Sequence, residues 1–238
     1  MAPAGKRWRA ALVKRALPTF DLAADRARAL ALTPVSRETS DRLDRFVELL
    51  LGWQRTTNLV APSTLAHLWT RHIADSLQLI DLAPGARRWI DLGSGAGFPG
   101  LVIACGLASD PAANVHLVES NMKKAAFLRE AQRVTAAPAR VHAARIEDFV
   151  DRFGDPADAL TARAVAPLKS LLPQVFPLLG KSGAMGLFPK GQHAELELEE
   201  ARGRLKPWRM DATLAPSRTD PSGRIVVIRN VEHDAATP

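Results

Sequence analysis

The stretch Asp91-Leu92-Gly93-Ser94-Gly95-Ala96-Gly97-Phe98-Pro99-Gly100 decides how this sequence folds. It follows a short buried-strand run at 88–92 and opens a helical pattern at 99–107. Glycines there let the backbone turn sharply and approach a ligand closely. Outward from it the rhythm alternates. Strands are predicted at 115–119, 140–143, 159–163 and 184–188. Helices are predicted at 122–135, near 146–150, at 167–178 and at 194–205. Alternation at this spacing means right-handed βαβ units and a mostly parallel sheet with helices on both faces. Two last runs, near 212–214 and 224–229, have no helix between them and should form an antiparallel hairpin at the sheet edge. The fold class is therefore α/β, with a seven-stranded sheet.

Upstream, Leu43, Phe46, Val47, Leu50 and Trp53 recur at helical spacing, and Leu65, Leu68, Trp69, His72, Ile73 and Ile80 form a second stripe. The expected organisation is a basic, poorly ordered extension over 1–35, helices packed on the core over 36–85, a catalytic domain over 86–230 and a tail over 231–238. Lys6, Arg7, Arg9, Lys14 and Arg15 read as a solvated basic tail without the apolar block of a secretory signal. The 238 residues carry a net charge of +7, which suggests an anionic partner such as nucleic acid. The single cysteine, Cys105, excludes an intramolecular disulfide framework, and no His/Cys/Asp cluster has metal-ligand spacing. The 92–109 stretch lacks charge but is broken by glycines and Pro99, so no membrane span is expected.

The glycine run fits two templates. Gly95 to Gly100 matches the G-x-G-x-x-G of dinucleotide binding; Gly93 to Gly97 matches the G-x-G-x-G of adenosylmethionine-dependent methyltransferases. Asp91 just before the glycines, where it can meet a methionine ammonium, favours the second. So does Pro99, which removes an N–H where a pyrophosphate would want donors. Glu119, closing the second strand, can take ribose hydroxyls under either template. Base carbon-5 methylation would need a cysteine nucleophile, and Cys105 lies inside a predicted helix. No Asn-Pro-Pro-aromatic or Asp-Pro-Pro-aromatic run serves amino-group methylation. A nucleophile with a free lone pair and no proton to lose, such as guanine N7, then needs only alignment. The Arg71 and Asp75 pair, four apart on a helix, reads as a surface ion pair.

The sequence resembles the bacterial 16S ribosomal RNA guanine-N7 methyltransferases, the glucose-inhibited division protein B family. The likeness runs from about Phe46 to Arg229. It rests on Asn58-Leu59-Val60, Arg71-His72-Ile73-Ala74-Asp75-Ser76, the glycine loop, Lys123-Lys124-Ala125-Ala126-Phe127-Leu128, Arg145-Ile146-Glu147, Ala162-Arg163-Ala164, Pro189-Lys190-Gly191 and the run from Arg224 to Ile228. Val60 departs from the family's threonine. The resemblance implies a Rossmann-like methyltransferase fold, S-adenosylmethionine as cofactor, and a guanine in the decoding region of small-subunit rRNA as substrate. It implies cofactor contacts at Gly93, Phe98, Ile146, Glu147 and Arg163, beside Asp91, Gly95, Gly97 and Glu119 from the loop reading. RNA contacts fall to Lys123, Arg145, Lys190 and Arg224. Arg145 and Arg163 act by positioning, and no residue serves as acid or base. A cytoplasmic monomer acting on 16S rRNA or the small subunit is expected. The alternatives are a methyltransferase for another RNA or a small molecule, a nicotinamide-dependent oxidoreductase, and a non-catalytic RNA-binding module. With no tyrosine in the chain, the Ser-x-x-x-Tyr-x-x-x-Lys constellation of one oxidoreductase class cannot form.

Overall fold

The computed structural model describes residues 21–205 and 208–233. The parallel part of the sheet runs β1 (Arg88–Leu92), β2 (Asn114–Val118), β3 (Ala139–His142), β4 (Ala159–Ala162) and β5 (Met185–Lys190). The hairpin of β6 (Trp208–Pro216) and β7 (Arg224–His233) completes it. The order is β3-β2-β1-β4-β5-β7-β6, with β7 antiparallel to both β5 and β6. The expected sheet, its helices on both faces and its edge hairpin are all present. β7 continues to His233, so the tail expected from 231 begins later, and residues 234–238 lie outside the described residues.

Every central strand is buried on both sides, and its residues alternate between two cores. Trp89, Val115, Leu117, Leu187 and Val227 face α2 (Arg37–Gln54), α3 (Asp75–Leu82), α4 (Gly100–Gly106) and α5 (Met122–Thr135). Ile90, Leu92, Val118, Leu160, Phe188 and Ile228 face α6 (Ile146–Arg152), α7 (Leu168–Ser182) and α8 (Ala194–Arg202). The sheet reverses direction of growth at β1 and β4, so the loop after β1 sits at the switch point where open α/β sheets bind ligands.

Two expectations are corrected. Residues 1–20 of the expected disordered extension lie outside the described residues, but α1 (Leu22–Leu32) is a packed helix. It has a weak apolar stripe and is held by polar bonds instead. Asp25, wholly buried, accepts the backbone N–H of Trp69 at 2.8 Å and of Thr70 at 3.3 Å. Arg26 clasps Asp44 with two bonds of 2.7 Å and lies over the Trp69 ring. The second helical stripe is also not one helix. A 3-10 segment (Pro62–His67) leads into a π-helical turn (Trp69–Ala74) and only then into α3. The wider turn leaves carbonyls free to accept from elsewhere, and such segments gather at functional sites.

Asp25→Ala should lower the unfolding free energy by about 3 kcal/mol, because buried N–H donors at the start of the π-helical turn lose their charged acceptor. Urea denaturation measures this; a loss under about 1 kcal/mol would show that α1 is not anchored there.

Candidate active site

Gly93, Gly95 and Gly97 all have positive φ (69°, 55° and 92°), which explains glycine at each. At Gly93 a Cβ would meet Val165 at 2.5 Å, so the β4–α7 loop can lie directly on the backbone. At Gly95 a Cβ would find nothing closer than 3.7 Å, and this residue is half-exposed. Gly97 is buried, and a Cβ would crowd Leu101 at 3.0 Å and Phe46 at 3.2 Å; its role is packing rather than open ligand contact.

Two carboxylates hold this loop by its backbone. Glu119 accepts Gly95 N–H at 2.9 Å through one oxygen and Asn121 N–H at 2.7 Å through the other. Asp91, expected to face a ligand, is instead wholly buried beneath the loop, and its Oδ2 accepts Gly100 N–H at 3.0 Å. Its Oδ1 is buried without a donor. Burial pushes the Asp91 carboxyl up to about 7.

Beside the loop opens a cleft of about 730 Å³ at the carboxyl edge of the sheet, within the size range of small-ligand sites. Its walls carry Arg71, His72 and Asp75 from the helical segment, Arg163 after β4, Lys190 ending β5 and Arg224 opening β7. Arg163 is knotted in place. Its Nη1 donates to Asp75 Oδ2 at 3.0 Å and to the Arg71 carbonyl at 3.1 Å, its Nη2 donates to His72 Nδ1, and its guanidinium lies 5.5 Å from the Phe98 ring centre. His72 in turn stacks on Phe98 at 4.8 Å. A guanidinium can only donate, so His72 Nδ1 accepts and the ring proton sits on Nε2, facing Thr64 Oγ1 at 3.0 Å. Burial, then the charges of Arg163 and Arg71, push His72 down to about 3, and the ring is neutral. Asp75 Oδ1 accepts from Gln78 at 2.8 Å and from Thr219 at 2.9 Å, which ties the β6–β7 loop to the cleft wall.

The Arg71–Asp75 ion pair expected from their spacing does not form. Asp75 pairs with Arg163 instead, and the Arg71 guanidinium bonds to nothing among the described residues. Lys190 is not a bare cation either; its Nζ donates to Glu197 Oε2 at 2.9 Å and to the Ala166 carbonyl at 3.1 Å. Among the described residues Arg224 donates only to the carbonyls of Pro221 and Gly223. Lys123 and Arg145 are exposed at the starts of α5 and α6, after β2 and β3, and do not line the cleft. Ile146 packs against the α6–α7 core, and Glu147 is exposed. The expected set thus divides into Arg163, Lys190 and Arg224 in the cleft and Lys123, Arg145, Ile146 and Glu147 on the far side of the glycine loop. Thr64, Asp75, Glu197 and Thr219 join the site without having been singled out for it. Among the described residues no cluster of His, Cys, Asp or Glu could hold a metal ion, and no helix is long and apolar enough to cross a membrane.

The family described as rRNA small subunit methyltransferase G matches residues 39–218. The chain belongs to this family. The ribosomal RNA small subunit methyltransferase G of a Bradyrhizobium species (strain BTAi1) is 60% identical over 211 residues, 89% of this chain and 93% of that one. That of Rhodopseudomonas palustris (strain BisB18) is 54% identical over 222 residues, 93% of each chain. Among solved structures, the O-methyltransferase from Bacillus cereus in complex with SAH superposes with a TM-score of 0.55 over 87% of this chain and 97% of that one. At 15% identity this likeness establishes the fold alone, that of the Rossmann-like methyltransferases.

In this member of the methyltransferase G family, neutral His72 should make the fold acid-sensitive. Its folded pKa of about 3 lies below the ~6.5 of an unfolded histidine, so the unfolded chain takes up a proton that the folded one refuses. Stability is lost on this account as pH falls from about 6.5 toward 3. His72→Gln keeps an acceptor for Arg163 and removes the titration, so wild-type stability should drop relative to the variant below pH 6.5. Urea denaturation from pH 7.5 to 4.5 reads this; parallel curves would contradict the neutral ring.

Proposed function

We propose that this chain transfers a methyl group from S-adenosylmethionine to N7 of a guanine in the decoding region of 16S rRNA, acting in the cytoplasm as a monomer. The observation that carries the reading is one sheet edge holding both the glycine loop and a cation-lined cleft, in a chain of the methyltransferase G family. The cofactor would supply an electrophilic methyl group. The residues present suit it. Gly95 offers open backbone, each Glu119 oxygen keeps a lone pair for a ribose hydroxyl, and Asp91 Oδ1, buried beneath the loop, is left without a donor. Ile146 and Glu147 flank the same edge. A dinucleotide is disfavoured, because the first N–H of α4, where a pyrophosphate would bind, is already taken by Asp91.

N7 chemistry suits this cleft because it needs no base. His72 carries its proton on Nε2 and spends Nδ1 on Arg163; Asp75 and Glu197 are ion-paired. What the residues can do is position, and small misplacement costs on the order of a hundredfold in rate. Arg163, bound from three sides, holds one wall rigid. Arg71 and Arg224, in no salt bridge among the described residues, suit RNA phosphates, and exposed Lys123 and Arg145 extend the basic surface along the rim.

Gly95→Asp tests the cofactor site. The position has room, and aspartate tolerates a φ of 55°, so the fold should survive while a second carboxylate arrives beside Glu119. Calorimetry should show S-adenosylmethionine affinity lowered at least a hundredfold; undiminished affinity would refute the site. The reaction itself is read by mass spectrometry of 16S rRNA from cells with and without the protein. One 7-methylguanine should disappear, and unchanged rRNA would overturn the assignment.

A further inference from the structure

Lys190 and Glu197 are the charged pair of the cleft that the phosphate-holding role leaves unexplained. Lys190 ends β5 and its side chain is 11% exposed; Glu197 lies in the first turn of α8 and is 31% exposed. Two of the three Lys190 ammonium protons are committed, to Ala166 and Glu197. Glu197 Oε2 also accepts the Leu168 N–H at 3.1 Å, so β5, α7 and α8 together fix the pair. One donor on Nζ and one acceptor, Glu197 Oε1, remain unused among the described residues, side by side on the cleft wall. A neutral, largely buried pair is a poor phosphate ligand, whose binding draws on uncompensated charge.

We infer that Lys190 and Glu197 read the Watson–Crick edge of the target guanine, an inference that rests on the methyltransferase reading above. Guanine presents an acceptor, O6, directly beside donors, N1–H and N2–H. The remaining Lys190 proton meets O6 and Glu197 Oε1 meets the donors. Adenine presents the reverse order and would set donor against donor and acceptor against acceptor. Uracil matches the first two positions but has no N7. Reading of a displaced base by its Watson–Crick edge is the usual way in which enzymes that modify bases recognise them.

The topology agrees. N7 lies on the Hoogsteen edge beside O6, so a base held at the end of β5 by its Watson–Crick edge leaves N7 uncovered by the pair. The loop after β1 stands two strands from β5, about 10 Å away, a distance that the Lys190 side chain, a hydrogen bond and a purine together span. The charge balance divides the pair: the Lys190 ammonium on O6 opposes the developing cation and serves to select the base, whereas Glu197 favours that cation. Methylation at N7 leaves a positive charge on the base and makes N1–H and N2–H stronger donors. Their bonds to the Glu197 carboxylate therefore strengthen on the way to the transition state, which accelerates the reaction rather than merely tightening binding.

The test uses the full chain and small ribosomal subunits from cells that lack it. Glu197→Gln should lower the single-turnover rate about a hundredfold while subunit affinity stays within twofold, and Lys190→Met should leave the salt dependence of that affinity unchanged. Arg224→Ala, by contrast, should make the log–log slope shallower by about one contact. A wild-type rate in Glu197→Gln, or a slope shallower by one in Lys190→Met, overturns the inference and leaves the activity standing. A wild-type protein that adds no 7-methylguanine defeats the activity reading itself. A second measurement needs no variant and no cofactor: GMP, IMP and AMP are titrated into isotope-labelled wild-type protein. GMP and IMP should perturb amides around 190–197 with at least tenfold preference over AMP. No preference, including no perturbation by any of the three, overturns the inference.

Discussion

The site depends on one donor-only group finding enough acceptors. Arg163 has five N–H protons and no lone pair, so whatever surrounds it must accept. Asp75, the Arg71 carbonyl and His72 Nδ1 do so, and each consequence follows from that demand. His72 is forced into one tautomer and stays neutral. The Arg71 carbonyl has to be free, which the π-helical turn provides. Asp75, drawn to Arg163, uses its other oxygen to hold Gln78 and Thr219 and so fastens the β6–β7 loop. A single guanidinium thereby joins the N-terminal helical segment, the parallel sheet and the edge hairpin around one cleft.

A second constraint shapes the ligand loop. Backbone that turns through positive φ three times exposes N–H groups that must find acceptors. Glu119 and Asp91 supply them from the ends of neighbouring strands. The same bonds limit what can bind, since a helix start filled by its own carboxylate no longer invites a phosphate. Asp91 Oδ1, buried and donorless, is the residual polar demand of this arrangement.

The net charge of +7 is not spread evenly in effect. Arg26, Arg87, Arg88, Arg133 and Arg218 are neutralised by acidic partners away from the cleft or on its outer rim, and such exposed pairs add little stability. Lys190 is neutralised within the cleft. Arg71, Arg224, Lys123 and Arg145 keep their charge unopposed by ion pairs among the described residues. Pairing, more than number, therefore decides where an anionic polymer is attracted.

What the sequence determined by itself is everything governed by local chain chemistry. The alternation of apolar strands with helices specified a parallel sheet, and the absence of a helix between the last two runs specified the hairpin. The helix expected at 122–135 forms with those bounds, and the structure adds the Asn121 cap at its start and the left-handed turn at Ala136. The glycine loop was readable because positive φ demands glycine. Tertiary structure decided the rest, because a polar side chain bonds to whatever the fold brings near rather than to its sequence neighbours. Asp25 caps a turn 44 residues away, so a helix with only a weak apolar stripe still packs. Asp75 ignores Arg71 one turn earlier for Arg163, 88 residues on. Lys190 has a charge in the sequence but a partner only in the fold, and that partner changes what it can recognise. Hydrophobic patterning is periodic along the chain and legible there; hydrogen-bond partnership is set by distances that exist only once the sheet has formed.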